Sequence, residues 1–323
     1  MNSDAGSEVE QLREKYGQWL HSFSGDEPNS ITNQIQELNR NSAFYHAFNA
    51  ARHHIPQRPS DGQAIVNDFL HLYIDKANLA LQLTGIRRLM DRSVAEGSRG
   101  VHSLRNLIED IGENARLITR QNVFGMFGLE LDVSERKRQE SREALVEAVS
   151  GKRCRDMGNS MKVMACEMWH SHMDLLCGVK EYERQDTDSL DVQRCAEIVV
   201  ELENICEPAC EFANKFIAHA STTESQKSVP EELLKPTMYK MWLAEAAVCK
   251  VASFVSVGLL DGPCIATLTL LPFGSFKHLD CLFSSGEAEK AMQTEWDAHE
   301  SRLSSCARWN WRESLICDYD LIG

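Results

Sequence analysis

Apolar residues recur at helical spacing through most of this chain, and no stretch shows the alternation of a half-buried strand. The clearest series is Val66, Phe69, Leu70, Tyr73, Ile74, Ala77, Leu81 and Thr84, an i, i+3, i+4 stripe that Ser60 or Asp61 can cap. The same periodicity predicts helices over 31–54, until Pro56 and Pro59 break it, and over 103–111, 134–149 and 161–182. Further helices are expected over 195–219, 237–260 and 287–311. Pro208 falls inside one of them, cannot donate to the carbonyl of Asn204, and is expected to kink or restart it. Residues 123–133, with two glycines among Phe124, Met126 and Phe127, read as a turn buried under its own aromatics. The β-branched run 264–273 has no partner strand and reads as a buried extended segment. Only 8 prolines and 18 glycines punctuate 323 residues, too few stop signals for a many-stranded fold.

The expected fold is therefore all-α. It divides into an N-terminal arm over 1–30, with one short helix around Leu12, Tyr16 and Trp19, a helical bundle over 31–262, and a C-terminal helical extension over 263–323. The formal net charge of −14 repels a polyanion over the surface as a whole, so any nucleic-acid contact must be local. The first ten residues have neither the basic nor the apolar region of a secretory signal. Met241 to Leu260 is the most apolar stretch, but it carries Glu245 and Lys250 and reads as a buried helix, not a membrane span. Eleven cysteines without one Cys-x-x-Cys pair fit reduced thiols and a cytoplasmic location, and exclude zinc ribbons and thioredoxin-like sites.

No phosphate-cradling glycine loop or nucleophile elbow occurs; Ser150-Gly151-Lys152 lacks the upstream glycine that would let backbone wrap a phosphate. Cys166, His170, Met173 and Cys177 lie on one helix face, but the outer two are roughly 16 Å apart along the axis, so one helix cannot close a metal site with them. They read as a core stripe of polarizable side chains, and no metal or cofactor is expected. His53-His54 reads as a surface pair. In Arg308-Trp309-Asn310-Trp311-Arg312 the tryptophans could stack on a nucleotide, or anchor the C-terminal helix while the arginines stay in water.

Residues 213–219, Ala-Asn-Lys-Phe-Ile-Ala-His, close a helix. This segment resembles the signature of HEPN domains, in particular the abortive-infection AbiU subfamily, in which an arginine, a polar residue and a lysine precede an Ala-His pair. Gly85-Ile86-Arg87-Arg88-Leu89-Met90-Asp91, followed after a loop by Ser103-Leu104-Arg105-Asn106-Leu107, is similar to that subfamily's early Arg-Leu-x-Asp element and Ser-Leu-x-x-Leu helix. The resemblance covers roughly 31–262 and departs from the pattern at the arginine, which is Ala213 here. It implies a HEPN-like bundle that commonly dimerises and a place in defence or toxin–antitoxin biology. In active members it also implies metal-independent RNA cleavage at a site shared by two protomers.

Such cleavage needs a base for the 2′-hydroxyl proton and a fixed cation for the charge that builds on phosphorus. The matching residues are His219, Asn214 and Lys215, with lysine a point charge where arginine would fork onto phosphate. At α-helical i, i+4 spacing Lys215 and His219 can share a face, although His219 also continues the Phe212–Phe216 stripe and could be a core histidine. Arg88 and Asp91 are spaced for an ion pair closing a helix. Arg40 lies six residues before His46, a coincidence that chance supplies readily. Two function classes follow. One is an RNA-binding protein or weak metal-independent endoribonuclease using His219, Asn214 and Lys215. The other is a catalytically degenerate helical scaffold for a protein partner. A homodimer is expected in either case.

Overall fold

Among the described residues the backbone is helical along most of the expected stripes, although the helices expected over 161–182 and 287–311 end at Cys177 and Cys306. The computed structural model describes residues 3–53, 68–92, 101–132, 134–149, 157–218, 237–260, 262 and 286–315, and among these the fold is all-α. The helices are α1 (Ser3–Ser24), α2 (Ile31–His53), α3 (Asp68–Leu89), α4 (Leu104–Glu113), α5 (Arg120–Phe127), α6 (Glu135–Val149), α7 (Met157–Cys177), α8 (Val192–Phe212), α9 (Met238–Phe254) and α10 (Gly286–Cys306). Short π-helical turns continue α8 over Ala213–Ala218 and α9 over Val255–Leu259. The extended pairing among the described residues is an isolated bridge between Thr119 and Ser189. Ser60, Asp61, the His54 half of the histidine pair and 264–273 lie outside the described residues.

Contacts group the chain into two compact units, each assembled from remote segments: Met1–Leu20 with Ile108–Glu197, and His21–Leu107 with Ile198–Gly323. This grouping follows different lines from the arm, bundle and extension of the sequence reading.

In the first unit, α7 packs against α5 and α6. The expected short N-terminal helix is instead 22 residues long. Leu12 and Trp19 are buried in it, and Asp110 accepts from Lys15 Nζ at 2.8 Å and from Trp19 Nε1 at 2.6 Å. The expected turn at 123–133 is also corrected, because α5 occupies its first half. Thr119 caps that helix by accepting from the Asn122 amide, and the next two amides, of Arg120 and Gln121, donate to the carbonyls of Asp188 and Asp186 at 2.8 and 2.9 Å. Gly128, with φ 65°, ends it, and the Leu129 amide returns to the carbonyl of Phe124. The glycines thus mark a helix end, and Phe124 is core.

In the second unit, α2 packs against α3 and α10, and α9 lies against all three. Gly85 sets the α2–α3 approach: a Cβ there would stand 3.1 Å from Leu38 Cδ1, and one turn away Gln82 Nε2 donates to the Leu38 carbonyl at 3.0 Å. α8 runs through Pro208 without restarting and widens into the π turn five residues later. The missing hydrogen bond is offset by a buried stripe of Leu202, Cys206, Ala209 and Ala213. Met238–Leu259 is long and apolar enough to cross a membrane, but 67% of that window is buried within the protein and it serves as a core helix. Two of its charges are buried with partners: Glu245 accepts from Ser42 Oγ at 2.7 Å, and Lys250 Nζ donates to the Leu315 carbonyl at 3.1 Å. Trp311 lies beyond the end of α10, fully buried, stacked on Phe254 with ring centres 4.9 Å apart, and Trp309 meets the same ring edge-on. The tryptophans are anchors, and Arg308 stays exposed.

Candidate functional site

Two sequence elements that carry the HEPN resemblance, more than a hundred residues apart, line one cleft of about 440 Å³ in the second unit. From the end of α3 come Arg87, Met90, Asp91 and Arg92; from α8 come Glu203, Asn204, Cys206, Glu207, Cys210 and Glu211; the π turn adds Asn214. Each wall has a local cause. Leu89 and Ile86 are buried, which turns the intervening Arg87 toward α8. Arg88 is exposed, and its carbonyl accepts from the Asp91 amide at 3.2 Å, closing the helix through backbone. Ser103 Oγ donates to the Asp91 carbonyl at 2.8 Å and accepts from the Asn106 amide, so the Ser-Leu-x-x-Leu helix is capped by the residue that fixes the end of α3. On α8, Pro208 has no amide hydrogen to give the carbonyl of Asn204, a lining residue.

Carboxylates dominate the electrostatics. Glu203 Oε1 accepts from Arg105 Nε at 2.6 Å and pairs with Arg92 at 3.0 Å. Arg87 has no ion pair among the described residues and is the cation open to a ligand. Burial, more than the nearby carboxylates of Glu211 and Asp91, pushes the Cys210 thiol up to about 12. Burial likewise raises Cys206 well above the ordinary thiol range. Neither is a thiolate nucleophile at neutral pH. What the cleft offers is hydrogen bonding from Asn214, a positive charge from Arg87, and carboxylates that limit how much polyanion it accepts.

Of the residues singled out by sequence, the structure brings Asn214 to this cleft beside Arg87 and Asp91. Lys215 is half-buried in the same π turn but does not line the cleft. His219 lies outside the described residues. Ala213, at the arginine position of the resemblance, is fully buried, so a guanidinium there would enter the core. Because 213–218 are π-helical, the α-helical i, i+4 argument does not carry across them.

Sequence reasoning also missed the polar clusters built on Arg120 and on His46. In the first unit Arg120 is only 1% exposed and donates from Nη2 to Asp174 at 2.8 Å and to Asp188 at 3.2 Å. His170 lies within 3.1 Å of Arg120 Nη1 through Nδ1 and 3.0 Å of the Leu131 carbonyl through Nε2. A guanidinium can only donate and a carbonyl can only accept, so the proton sits on Nε2. Burial holds His170 below the usual imidazole range, and the Arg120 charge adds to this. Burial would raise Asp174, but hydrogen bonds from Arg184 and Arg120 outweigh it and hold this carboxyl low. With Cys166, His170 and Met173 buried and Cys177 half-buried, most of the Cys166-to-Cys177 face is core, as expected.

In the second unit His46, Trp242, Glu245, His299 and Arg302 enclose a cavity of about 30 Å³, the size of one water. The His46 ring lies 5.5 Å from His299 and 4.7 Å from Trp242. Burial first, then the charges of His299 and Arg302, pull His46 down to about 3. His299 Nε2 stands 3.3 Å from Glu245 Oε1 but is not aligned as a hydrogen bond. Arg40 is exposed while His46 turns inward, so that pair forms no site. Compared with family models, curated proteins and solved structures, the chain matches none.

Proposed function

We propose that this chain is a HEPN-like protein of defence or toxin–antitoxin type, which engages RNA locally through the α3–α8 cleft and cleaves it weakly without a metal. The reading rests on one observation: Asn214 of the motif and the Arg87-to-Asp91 element, distant in sequence, line the same cleft. Asn214 supplies hydrogen bonds and Arg87 a charge that forks onto phosphate. His219 is the proposed base and Lys215 the proposed point cation. Four carboxylates, on Asp91, Glu203, Glu207 and Glu211, restrict the contact to a short segment. The protein acts as a cytoplasmic homodimer, for which light scattering should give twice the 36.5 kDa of one chain.

The buried Ala213 favours a second reading, a catalytically degenerate scaffold that binds a protein partner. Cleavage of a mixed RNA pool in EDTA separates the two. Products ending in 2′,3′-cyclic phosphate that vanish in His219→Ala support the enzyme. Magnesium-dependent cutting, or cutting unchanged in His219→Ala, removes the HEPN mechanism. Absence of any turnover supports the scaffold.

A further inference from the structure

Away from the residues that carry the functional reading, three side chains that share no sequence motif meet at one point of the second unit. His21 stands at the last turn of α1, Glu27 in the link between α1 and α2, and His102 just before α4. Their ligand atoms, an imidazole nitrogen from each histidine and a carboxylate oxygen, all lie within 4.8 Å of one another. Glu27 reaches both rings, with Oε1 3.7 Å from His21 Nε2 and Oε2 3.1 Å from His102 Nε2. The rings meet edge to face with centres 5.9 Å apart.

We propose that His21, Glu27 and His102 form a binding site for a divalent transition metal of the zinc class. Two imidazoles and one carboxylate are a donor set such ions favour, and a three-ligand site leaves a position for water. Ligands about 2.1 Å from a tetrahedral ion stand about 3.4 Å apart, so atoms now within 4.8 Å of one another must close by up to about 1.4 Å. The side chains of His21 and Glu27 are 61% and 55% exposed and have room to turn, while His102, at 21%, is the more enclosed member.

The backbone around the trio is fixed by bonds that do not involve the ligand atoms. Buried Gln34 donates from Nε2 to the carbonyls of Asn29 and His102, at 2.7 Å each, tying the α1–α2 link to the segment before α4. Asn33 Nδ2 donates to the Glu27 carbonyl at 2.9 Å. Gly25 folds the chain back over the end of α1: its amide donates to the His21 carbonyl at 2.9 Å, and a Cβ there would stand 2.4 Å from that oxygen and 3.0 Å from His21 Nδ1. Only glycine permits that return, and the return is what sets Glu27 beside His21. The chain's net charge of −14 also raises the local concentration of cations.

The test uses the full chain, stripped with a chelator and held reduced, because its 11 cysteines can also take zinc. Titration with Zn2+ by calorimetry should show one equivalent bound. Co2+ should give weak visible bands without the near-ultraviolet charge transfer of a thiolate ligand. His102→Ala and Glu27→Gln should each weaken binding by about 100-fold or more, with helicity unchanged by circular dichroism. His46→Gln, a histidine elsewhere, should leave it intact. The site is refuted by the absence of a stoichiometric ion, by a thiolate band, or by binding that survives in both ligand variants.

Discussion

Replacing Arg120 with methionine keeps most of the side-chain volume and removes the charge, so its effect reads the polar network alone. In the folded protein the guanidinium is 1% exposed, against 17% and 11% for Asp174 and Asp188. An exposed ion pair would contribute about 0–1 kcal/mol, whereas stripping one partner from a buried pair costs about 3–5 kcal/mol because a buried charge is left behind. Two compensations put this case at the lower end. Asp174 keeps Arg184, which reaches it at 2.8 Å from Nε and 2.5 Å from Nη2, and Asp188 keeps the amide of Gln185 at 2.9 Å. His170 Nδ1, however, loses its donor. The expected loss is about 3 kcal/mol, or roughly 100-fold in the opening equilibrium of the first unit. Native-state hydrogen exchange at the Val123 and Phe124 amides in α5 reads that opening directly. Exchange within threefold of the unsubstituted protein would show that the buried network behaves as a surface pair and that the reasoning from burial fails.

Acid should destabilise the second unit through His46. Its folded value near 3 lies below the unfolded imidazole value, so its contribution is complete above pH 6.5 and is lost as pH falls toward 3. At about 1.4 kcal/mol per pH unit this amounts to about 2 kcal/mol at pH 5, and His46→Phe should flatten that part of a urea-stability profile. Asp174, also held low, contributes above its unfolded carboxylate value and loses that contribution as pH falls below about 4, which Asp174→Asn should remove. Ala213→Arg, the substitution that would restore the HEPN pattern, should destabilise by about 3 kcal/mol or more, since it overpacks the core and buries an unpaired charge. A thermal melt unchanged by that substitution would show that position 213 reaches solvent.

Helix positions were legible because burial imposes its period on sequence: the stripe from Ile31 to Phe48 gave α2, and the charges of Glu245 and Lys250 marked α9 as a core helix with polar partners. The misreadings have local causes. Gly125 and Gly128 look alike in a sequence, but only Gly128 adopts a left-handed conformation, so a capped helix was read as a turn. Arg120 gave no signal because its partners lie 54 and 68 residues away. His21, Glu27 and His102 were invisible for the same reason, since a search for ligands at motif spacing sees only what one helix or hairpin brings together. The meeting of Asn214 with Arg87 was legible in part, as two short elements of one resemblance, while the inward turn of Ala213 depends on packing that no spacing rule contains.

The claim that the α3–α8 cleft contacts RNA rests most directly on Arg87, the lining cation without a carboxylate partner among the described residues. Anisotropy of a labelled single-stranded RNA should be followed across a salt series for the unsubstituted protein and for Arg87→Gln. One lost phosphate contact should weaken binding several-fold at low salt and make the slope of log affinity against log salt shallower by about 0.7. No measurable binding, or identical affinity and slope in the two proteins, would contradict the assignment of the cleft to RNA.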